Sequence, residues 1–422
     1  MKQTPFWVDE HPLPRNITSP PPEEADVVIV GSGLTGITAA LRLARGGRSV
    51  VVVETGDIAS GASSINGGMV SPDIKAGIQV IFARYGPQLG KEMWDATVRS
   101  VEIVSDLVAG ESIDAQIVRG GMAALGADTA SRSRFERTVA WYRDHVGVDW
   151  EVLGPDRIAE VVGGDHFTSA LFEPEGMGIQ PAKFVFGLAE RAARAGAILV
   201  DNCQAVSFEA DGSGFRIHTS RGPIKAGEVV LATNGYTTAR PSPALARRVV
   251  PIGSYIIVTE QLGERAAAIF PRGSMTYTKK RLLHYMRRTP DDRILIGGRR
   301  NLHTGLDLDE SAADLRRQLV RYFPDLEGVA ITHVWGGKLG APFDLVPHMG
   351  RVDGAWYALG YAGHGVGLST LMGHELAGML LGEDPPSVFT KVPHPTRFYY
   401  RGKPWFLTPA SILYRALDRI NR

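Results

Sequence analysis

Apolar and polar positions follow different periods in successive blocks of this chain. Val27–Val30 is a short, uninterrupted β-branched run, the pattern of a strand buried on both faces. From Leu34 to Arg45 apolar residues recur every three or four positions, which predicts a helix, with Gly46-Gly47 as its stop. A second β-branched run, Val50–Val53, ends in Glu54. Helical spacing returns over Tyr85–Gly110 and Thr129–Val146, on either side of a strand and turn in "IVRGGMAALG". Gln180–Val200 reads as an amphipathic helix leading into a strand. Short alternating strands follow, with turns at Asp211-Gly212 and Arg221-Gly222. "EVVLATNGY" (Glu228–Tyr236) is another buried strand, which sets Thr233, Asn234 and Gly235 at its carboxyl end. "GSYIIVTE" and "RLLHYMRRTPDDRILIGGRR" are strand-like. The last strand, "AWYALGY", runs through the glycine-rich "YAGHGVGLS" into a helix stopped by Gly382.

The N-terminal blocks carry a spacing with a physical purpose. Gly31-x-Gly33-x-x-Gly36 sits where the first strand turns into the first helix. Gly31 permits the tight turn, Gly33 lets backbone approach a pyrophosphate, and Gly36 allows close helix–strand packing. The helix start, with Leu34 and Thr35, supplies unpaired N–H groups and a partial positive charge for phosphate. Glu54, 18 residues after Gly36, can accept hydrogen bonds from a ribose diol, and its charge disfavours a 2′-phosphate and hence NADP. The Thr55–Asp73 stretch is a long Gly/Ala/Ser loop. Loops of that length are uncommon unless functional, and this one can run beneath an extended cofactor.

Composition narrows the class. A chain of 422 residues accommodates two domains, and 44% hydrophobic with 22% charged residues is ordinary for a globular protein. A net charge of +1 gives no electrostatic reason to expect nucleic acid. The single cysteine, Cys203, rules out an intrachain disulfide framework and fits a reducing, cytoplasmic setting. The N-terminal stretch lacks an apolar signal core and reads as an extended, proline-rich arm. The most apolar stretch, Asp26–Ala44, is broken by glycines and Arg42, so no transmembrane segment is expected. The eleven histidines show no metal-ligand spacing, and no metal is expected.

Taken together, the glycine fingerprint, "GASSINGG", "LATNGYT" and "YAGHGVGLS" resemble the FAD-dependent D-amino-acid oxidase/glycine oxidase superfamily. "HVWGGKLGAPFDLVPHMGRV" followed by "YALGYAGHGVGLSTLMGHELAGMLLG" is similar to its γ-glutamylputrescine oxidase-like and D-amino-acid dehydrogenase-like branch. The pattern along the chain, and the resemblance with it, predicts an α/β (α+β overall) fold: a Rossmann-like FAD-binding domain with a discontinuous substrate domain built on an antiparallel sheet. The FAD-binding part is expected from residues 25–75, 165–240 and 332–385, and the substrate part from 76–164 and 241–331. An arm (1–24) and a capping tail (386–422) flank them. The tail is aromatic and basic; packing on the body is the preferred reading, with peripheral membrane contact as its alternative.

The resemblance and the motifs together give a cofactor-binding set. Besides Gly31, Gly33, Leu34, Thr35, Gly36 and Glu54 it comprises Thr55, Gly61, Ala62, Ser63, Asn66, Gly67, Gly68 and Met69 in the loop. Val206, Thr233, Asn234 and Gly235 come from the middle of the chain. Trp335, Gly337, Gly363, His364, Gly365, Val366, Gly367 and Leu368 complete it. In the family, the last helix points its N-terminus at the flavin's pyrimidine end. His364 is then a hydrogen-bond partner rather than a base, and Gly363, Gly365 and Gly367 allow close approach. Asn66 occupies the position where relatives carry a flavin-linked histidine, so FAD is expected to be non-covalent.

The implied reaction is oxidation of a small-molecule amine or amino acid, with hydride passing from the α-carbon to flavin N5 and the imine hydrolysing. O2 is the expected acceptor, giving H2O2; a membrane-associated dehydrogenase and a non-catalytic FAD-stabilised subunit are the alternatives. Oligomeric state is left open. Lys338 is the candidate to face the reactive edge, against a surface lysine. Arg299, with Arg287 and Arg300 nearby, is the candidate carboxylate fork. Tyr255, His284 and Tyr285 are candidates for the pocket wall, and His348 reads as structural.

Overall fold

The computed structural model describes residues 1–279, 282–299, 301–305 and 307–420. Arg300 lies outside them. The β-branched runs pair as the pattern requires. Glu24–Val30 lies between Val50–Val53 and Gly222–Leu231, parallel to both. Ile198–Val200 extends one side and Ala355–Leu359 the other, also parallel, and His348–Val352 closes that edge antiparallel. Val27, Val28, Ile29 and Val51–Val53 are all essentially inaccessible to solvent, as a sheet covered on both faces demands. The helices Leu34–Arg45, Pro181–Arg194 and Gly365–Leu381 pack on one face. A hairpin, Ala205–Asp211 with Gly214–Thr219, hangs from Gly222–Leu231.

The second sheet also has eight strands and is antiparallel apart from one pair. Val249–Thr259 pairs on one side with Ile294–Gly298 and on the other, along nearly its whole length, with the edge strand Ile331–Pro342. Two strands fall in this sheet although their place in the chain grouped them with the FAD-binding segments. Ser169–Glu173 pairs with Met122–Gly126, and Ile331–Pro342 pairs with Val249–Thr259. Backbone pairing, rather than continuity along the chain, decides membership. The helix Leu308–Tyr322, capped by Asp307 through the Glu310 N–H at 2.8 Å, buries Leu315 and Leu319 under this sheet and was not anticipated.

The N-terminal arm also departs from expectation. It contains a short helix, Phe6–Glu10, whose Phe6 and Trp7 are buried in the main core. The Trp7 indole N–H donates to the Asn66 carbonyl at 2.8 Å, and Arg287 lies over its ring. Two adjacent aromatics outweigh the extended preference of the flanking prolines. The tail packs on the body: Tyr400 is buried and donates to the Val249 carbonyl at 2.8 Å, and Ser411 Oγ accepts from Leu302 N–H at 3.0 Å. It also presents Phe398 (91% exposed), Trp405, Ile412 and Leu413 to solvent. Among the described residues no helix is long and apolar enough to cross a membrane.

Candidate active site

A cavity of about 870 Å³ opens at the carboxyl ends of the parallel strands, where Val30, Val53 and Ala232 line it, the usual ligand position in such sheets. Its opposite wall is a face of the second sheet. Strand alternation chooses that wall: Ser254 and Ile256 face the cavity while Tyr255 between them points away, and Tyr285 faces it while His284 does not. Tyr255 and His284 are therefore corrected as pocket residues. Tyr255 is buried in the core on the other face, and His284 Nδ1 lies 2.8 Å from the Tyr322 hydroxyl.

The first end of the cavity is made of backbone. Gly31 has φ +104°, and a Cβ there would stand 2.9 Å from the Ala232 carbonyl oxygen. Gly36 has a different role: its absent Cβ leaves room for the Gly31 carbonyl, which would otherwise be 2.0 Å away. Ser63 Oγ accepts the Leu34 N–H at 2.9 Å, fastening the loop to the helix start. Glu54 lines the cavity with one carboxylate oxygen held by the Ser32 N–H (2.9 Å) and hydroxyl (2.7 Å). Asn66 spends its side chain on the loop itself, donating to the Ala62 and Ser63 carbonyls and accepting the Gly68 N–H at 2.7 Å.

The "YAGHGVGLS" stretch forms the second glycine junction. The helix Gly365–Leu381 begins with no capping side chain, and its first turn opens onto the cavity. A Cβ at Gly363 or Gly365 would meet its nearest neighbours only at ordinary contact distance, 3.8 and 3.5 Å. Gly367 is instead a packing residue, since its Cβ would meet Ser100 Oγ at 2.7 Å. Gly373 lets this helix lie against Thr35, whose carbonyl oxygen would be 2.3 Å from a Cβ. The Thr35 and Tyr361 hydroxyls, 2.6 Å apart, tie the two junctions together. Of the predicted cofactor set, Gly36, Gly68, Val206, Gly235 and Leu368 do not line the cavity; the remainder do. Gly68 faces the Ile179 carbonyl and Arg287.

The other end carries ionisable side chains. Asp73, Lys75, Glu173, Lys279 and Arg299 all line it. His364 Nε2 lies 3.5 Å from an Asp73 carboxylate oxygen. Burial raises the Asp73 carboxyl, but the His364 hydrogen bond and charge outweigh it and leave it below its ordinary value. Burial and then Arg299 push the Lys75 ammonium down to about 8. Burial and then the Asp73 charge push Glu173 up to about 8; the Tyr277 hydroxyl donates to it at 3.2 Å. Burial lowers Arg299, whose Nε is buried without a partner among the described residues.

Arg287 does not join this end. It is fully buried and donates to the Gly68 and Ile179 carbonyls at 2.9 and 2.8 Å, so it braces the loop from behind. Lys338 is exposed on the cavity wall, its Nζ 5.5 Å from the centre of the Tyr236 ring. His348 is buried outside the cavity, with Nε2 3.0 Å from both Asp344 carboxylate oxygens. Cys203 is buried in a separate apolar cluster. Among the described residues no group of metal-binding side chains occurs. Asp73, Lys75, Glu173, Tyr277 and Lys279 escaped the sequence reading. A carboxylate inside the apolar strand "SALFE" was the one signal available for Glu173.

The long cavity, the two helix starts and the oriented Glu54 fit an adenine dinucleotide, and Trp335 and Gly337 line the same cavity. Residues 26–379 match the family model described as FAD dependent oxidoreductase (DAO). The chain belongs to this family of FAD-binding oxidoreductases. It is 31% identical over 372 residues to the gamma-glutamylputrescine oxidoreductase of Escherichia coli K12, covering 87% of each chain. It is 27% identical to a glycine oxidase of Pseudomonas aeruginosa, covering 85% of this chain and 95% of that one. The crystal structure of glycine oxidase from Geobacillus kaustophilus superposes with a TM-score of 0.76 at 22% identity, over 90% of this chain and all of that one. The fold class is the one expected from the sequence.

Proposed function

We propose that the protein oxidises the C–N bond of a small amine or amino acid, with FAD held non-covalently and O2 as electron acceptor. The observation that carries this is Arg299, a half-buried side chain on the cavity wall whose Nε is shielded from solvent without a hydrogen-bond partner, and which has no ion-pair partner among the described residues. Such a group awaits an anion, and a substrate carboxylate supplies one in fork geometry. Similarity to amine and amino-acid oxidoreductases supports the same reading.

FAD, when bound, would supply the two-electron acceptor, with Trp335 and Gly337 among the residues that would hold it. The protein's task is positioning. Arg299 fixes the carboxylate, while Ser254 and Tyr285, whose oxygens are 3.4 Å apart, border the space where the reacting carbon is presented. The uncapped first turn of Gly365–Leu381 directs N–H groups at negative charge developing at that end. Two electrons and two protons leave the substrate as its amine becomes an imine. Water converts the imine to a carbonyl compound and ammonia or amine, and O2 takes up the electrons and protons as H2O2.

On this reading the first sheet with its helices is the FAD-binding domain and the second sheet the substrate domain. The protein works in the cytoplasm. An anaerobic screen of the holoenzyme against D- and L-amino acids, N-methyl amino acids, polyamines and γ-glutamyl amines should bleach the flavin with at least one of them. No bleaching by any compound sinks the proposal. Acid precipitation should release free flavin; yellow protein in the pellet contradicts non-covalent binding. A second reading, transfer of electrons to a membrane carrier, rests on the exposed Phe398 and Trp405 in the basic tail. Substrate oxidation without H2O2 in air favours it.

A further inference from the structure

We propose that Glu173, together with Tyr277, is a subsite for a second basic nitrogen on the substrate, remote from the nitrogen that reacts. This rests on the amine-oxidation reading and narrows it to amines that carry two basic centres. Glu173 is 5% exposed, and that small exposure faces the cavity. Its strand, Ser169–Glu173, is otherwise apolar in its last positions, and its paired neighbour across the sheet, Met122, lines the same cavity. A carboxyl in such a place costs several kcal/mol of solvation if ionised alone.

The protein compensates very little of that cost. One oxygen accepts from the Tyr277 hydroxyl at 3.2 Å. Among the described residues, no lysine, arginine or histidine nitrogen approaches the carboxyl within 4.0 Å. The other acid of this end, Asp73, already has His364 beside it, whereas Glu173 has no cation in contact and feels Lys279 only at longer range. Arg299 is its mirror image, a cation without an anion. Together they complement a molecule bearing both a carboxylate and a second amine, or a plain diamine that uses Glu173 alone.

The charged and titratable groups around Glu173 are Asp73 from the loop, Tyr277 from the strand Met275–Thr278 on the far side of Met122–Gly126 with Lys279 just past its end, Glu175 beyond its own strand and Tyr142 from the helix Thr129–Val146. Burial first, then Asp73 and more weakly Glu175, favour the protonated carboxyl against Lys279 and the Tyr277 hydrogen bond, which leaves Glu173 at about 8. An arriving ammonium must displace that proton, so binding of a second cationic nitrogen releases H⁺ from the carboxyl.

The test compares butane-1,4-diamine with pentylamine, which has similar length and one nitrogen, on holoenzyme and on the Glu173→Gln and Tyr277→Phe variants. Glutamine matches the protonated carboxyl in shape and keeps the Tyr277 hydrogen bond, so it preserves the fold. Anaerobic flavin bleaching should favour the diamine in kcat/KM by about 30-fold or more, and Glu173→Gln should collapse that ratio to within about threefold of unity. Tyr277→Phe should lower it by about three- to tenfold. Calorimetry near pH 7.5 in two buffers should record proton release on diamine binding to the wild type and none to Glu173→Gln. If both amines bleach the flavin and neither the ratio nor the proton release responds to Glu173→Gln, the subsite is overturned while the amine-oxidation reading stands. If diamine binding depends on Glu173 but no amine bleaches the flavin, the subsite stands and that reading falls. If neither binding nor bleaching depends on Glu173 and no amine reduces the flavin, both fall.

Discussion

At one end of the cavity the chain presents backbone and hydrogen atoms; at the other it presents ionisable side chains. Gly31 and Gly33 shape the first end, where a helix starts and a side chain would clash. Asp73, Lys75, Glu173, Lys279 and Arg299 shape the second, where burial and neighbours shift several ionisations. The contrast separates two tasks. A constant ligand with phosphates and a fixed ring system is met by main-chain geometry, which tolerates few sequences. A variable ligand is met by charges that can be exchanged without moving the backbone.

The sharpest way to break the comparison is Gly31→Val. Its φ of +104° and the Ala232 carbonyl 2.9 Å from the new Cβ should abolish FAD retention, read as loss of flavin absorbance per protein. Retention at the wild-type ratio contradicts the backbone-built end.

At the charged end, Glu173 makes stability depend on pH. Its folded value of about 8 lies above the ordinary 4.5, so the folded protein keeps a proton that the unfolded chain gives up. Stability from this group is full below about 4.5 and is lost as pH rises through about 8. Glu173→Gln should flatten that fall, by an amount on the order of a few kcal/mol, in thermal unfolding of the holoprotein between pH 5 and 8. Parallel profiles for the two proteins count against a buried, uncompensated carboxyl.

Arg299→Met comes next. For carboxylate-bearing amines it should lower kcat/KM by about 10–100-fold, the worth of a charge-assisted hydrogen bond, relative to amines lacking a carboxylate. An equal loss for both classes removes Arg299 from substrate recognition. The smallest expected effect is Thr35→Val, which breaks the hydroxyl contact with Tyr361. It should cost about 1 kcal/mol in denaturant unfolding and leave the flavin bound. A larger loss of flavin than of stability makes the tie part of the cofactor site itself.

The same contrast explains what could be read in the sequence. Gly31-x-Gly33-x-x-Gly36, Glu54 and the "AGHGVG" junction are local patterns, since a tight turn and the helix after it depend on neighbours in sequence. The parallel strands were legible because burial on both faces makes them uniformly apolar. The charged end is assembled from the loop at Asp73 and Lys75, the strand ending at Glu173, the strands carrying Tyr277 and Tyr285, and Arg299 just past the strand Ile294–Gly298, and no spacing along the chain records that meeting. Tyr255 and His284 were misplaced because which face of a strand looks inward follows from register, and a one-residue offset inverts it. Gly367 and Gly68 belonged to glycine-rich motifs, yet their bare α-carbons serve helix–helix and loop–strand contact.

The Thr35–Tyr361 contact joins residues 326 positions apart. At synthesis rates of about 5–20 residues per second, roughly 15–65 s separate the emergence of its two partners from the ribosome. For that interval the first glycine turn exists without the junction that closes the cavity. A nascent chain arrested before Gly360 therefore holds the first glycine junction without the second.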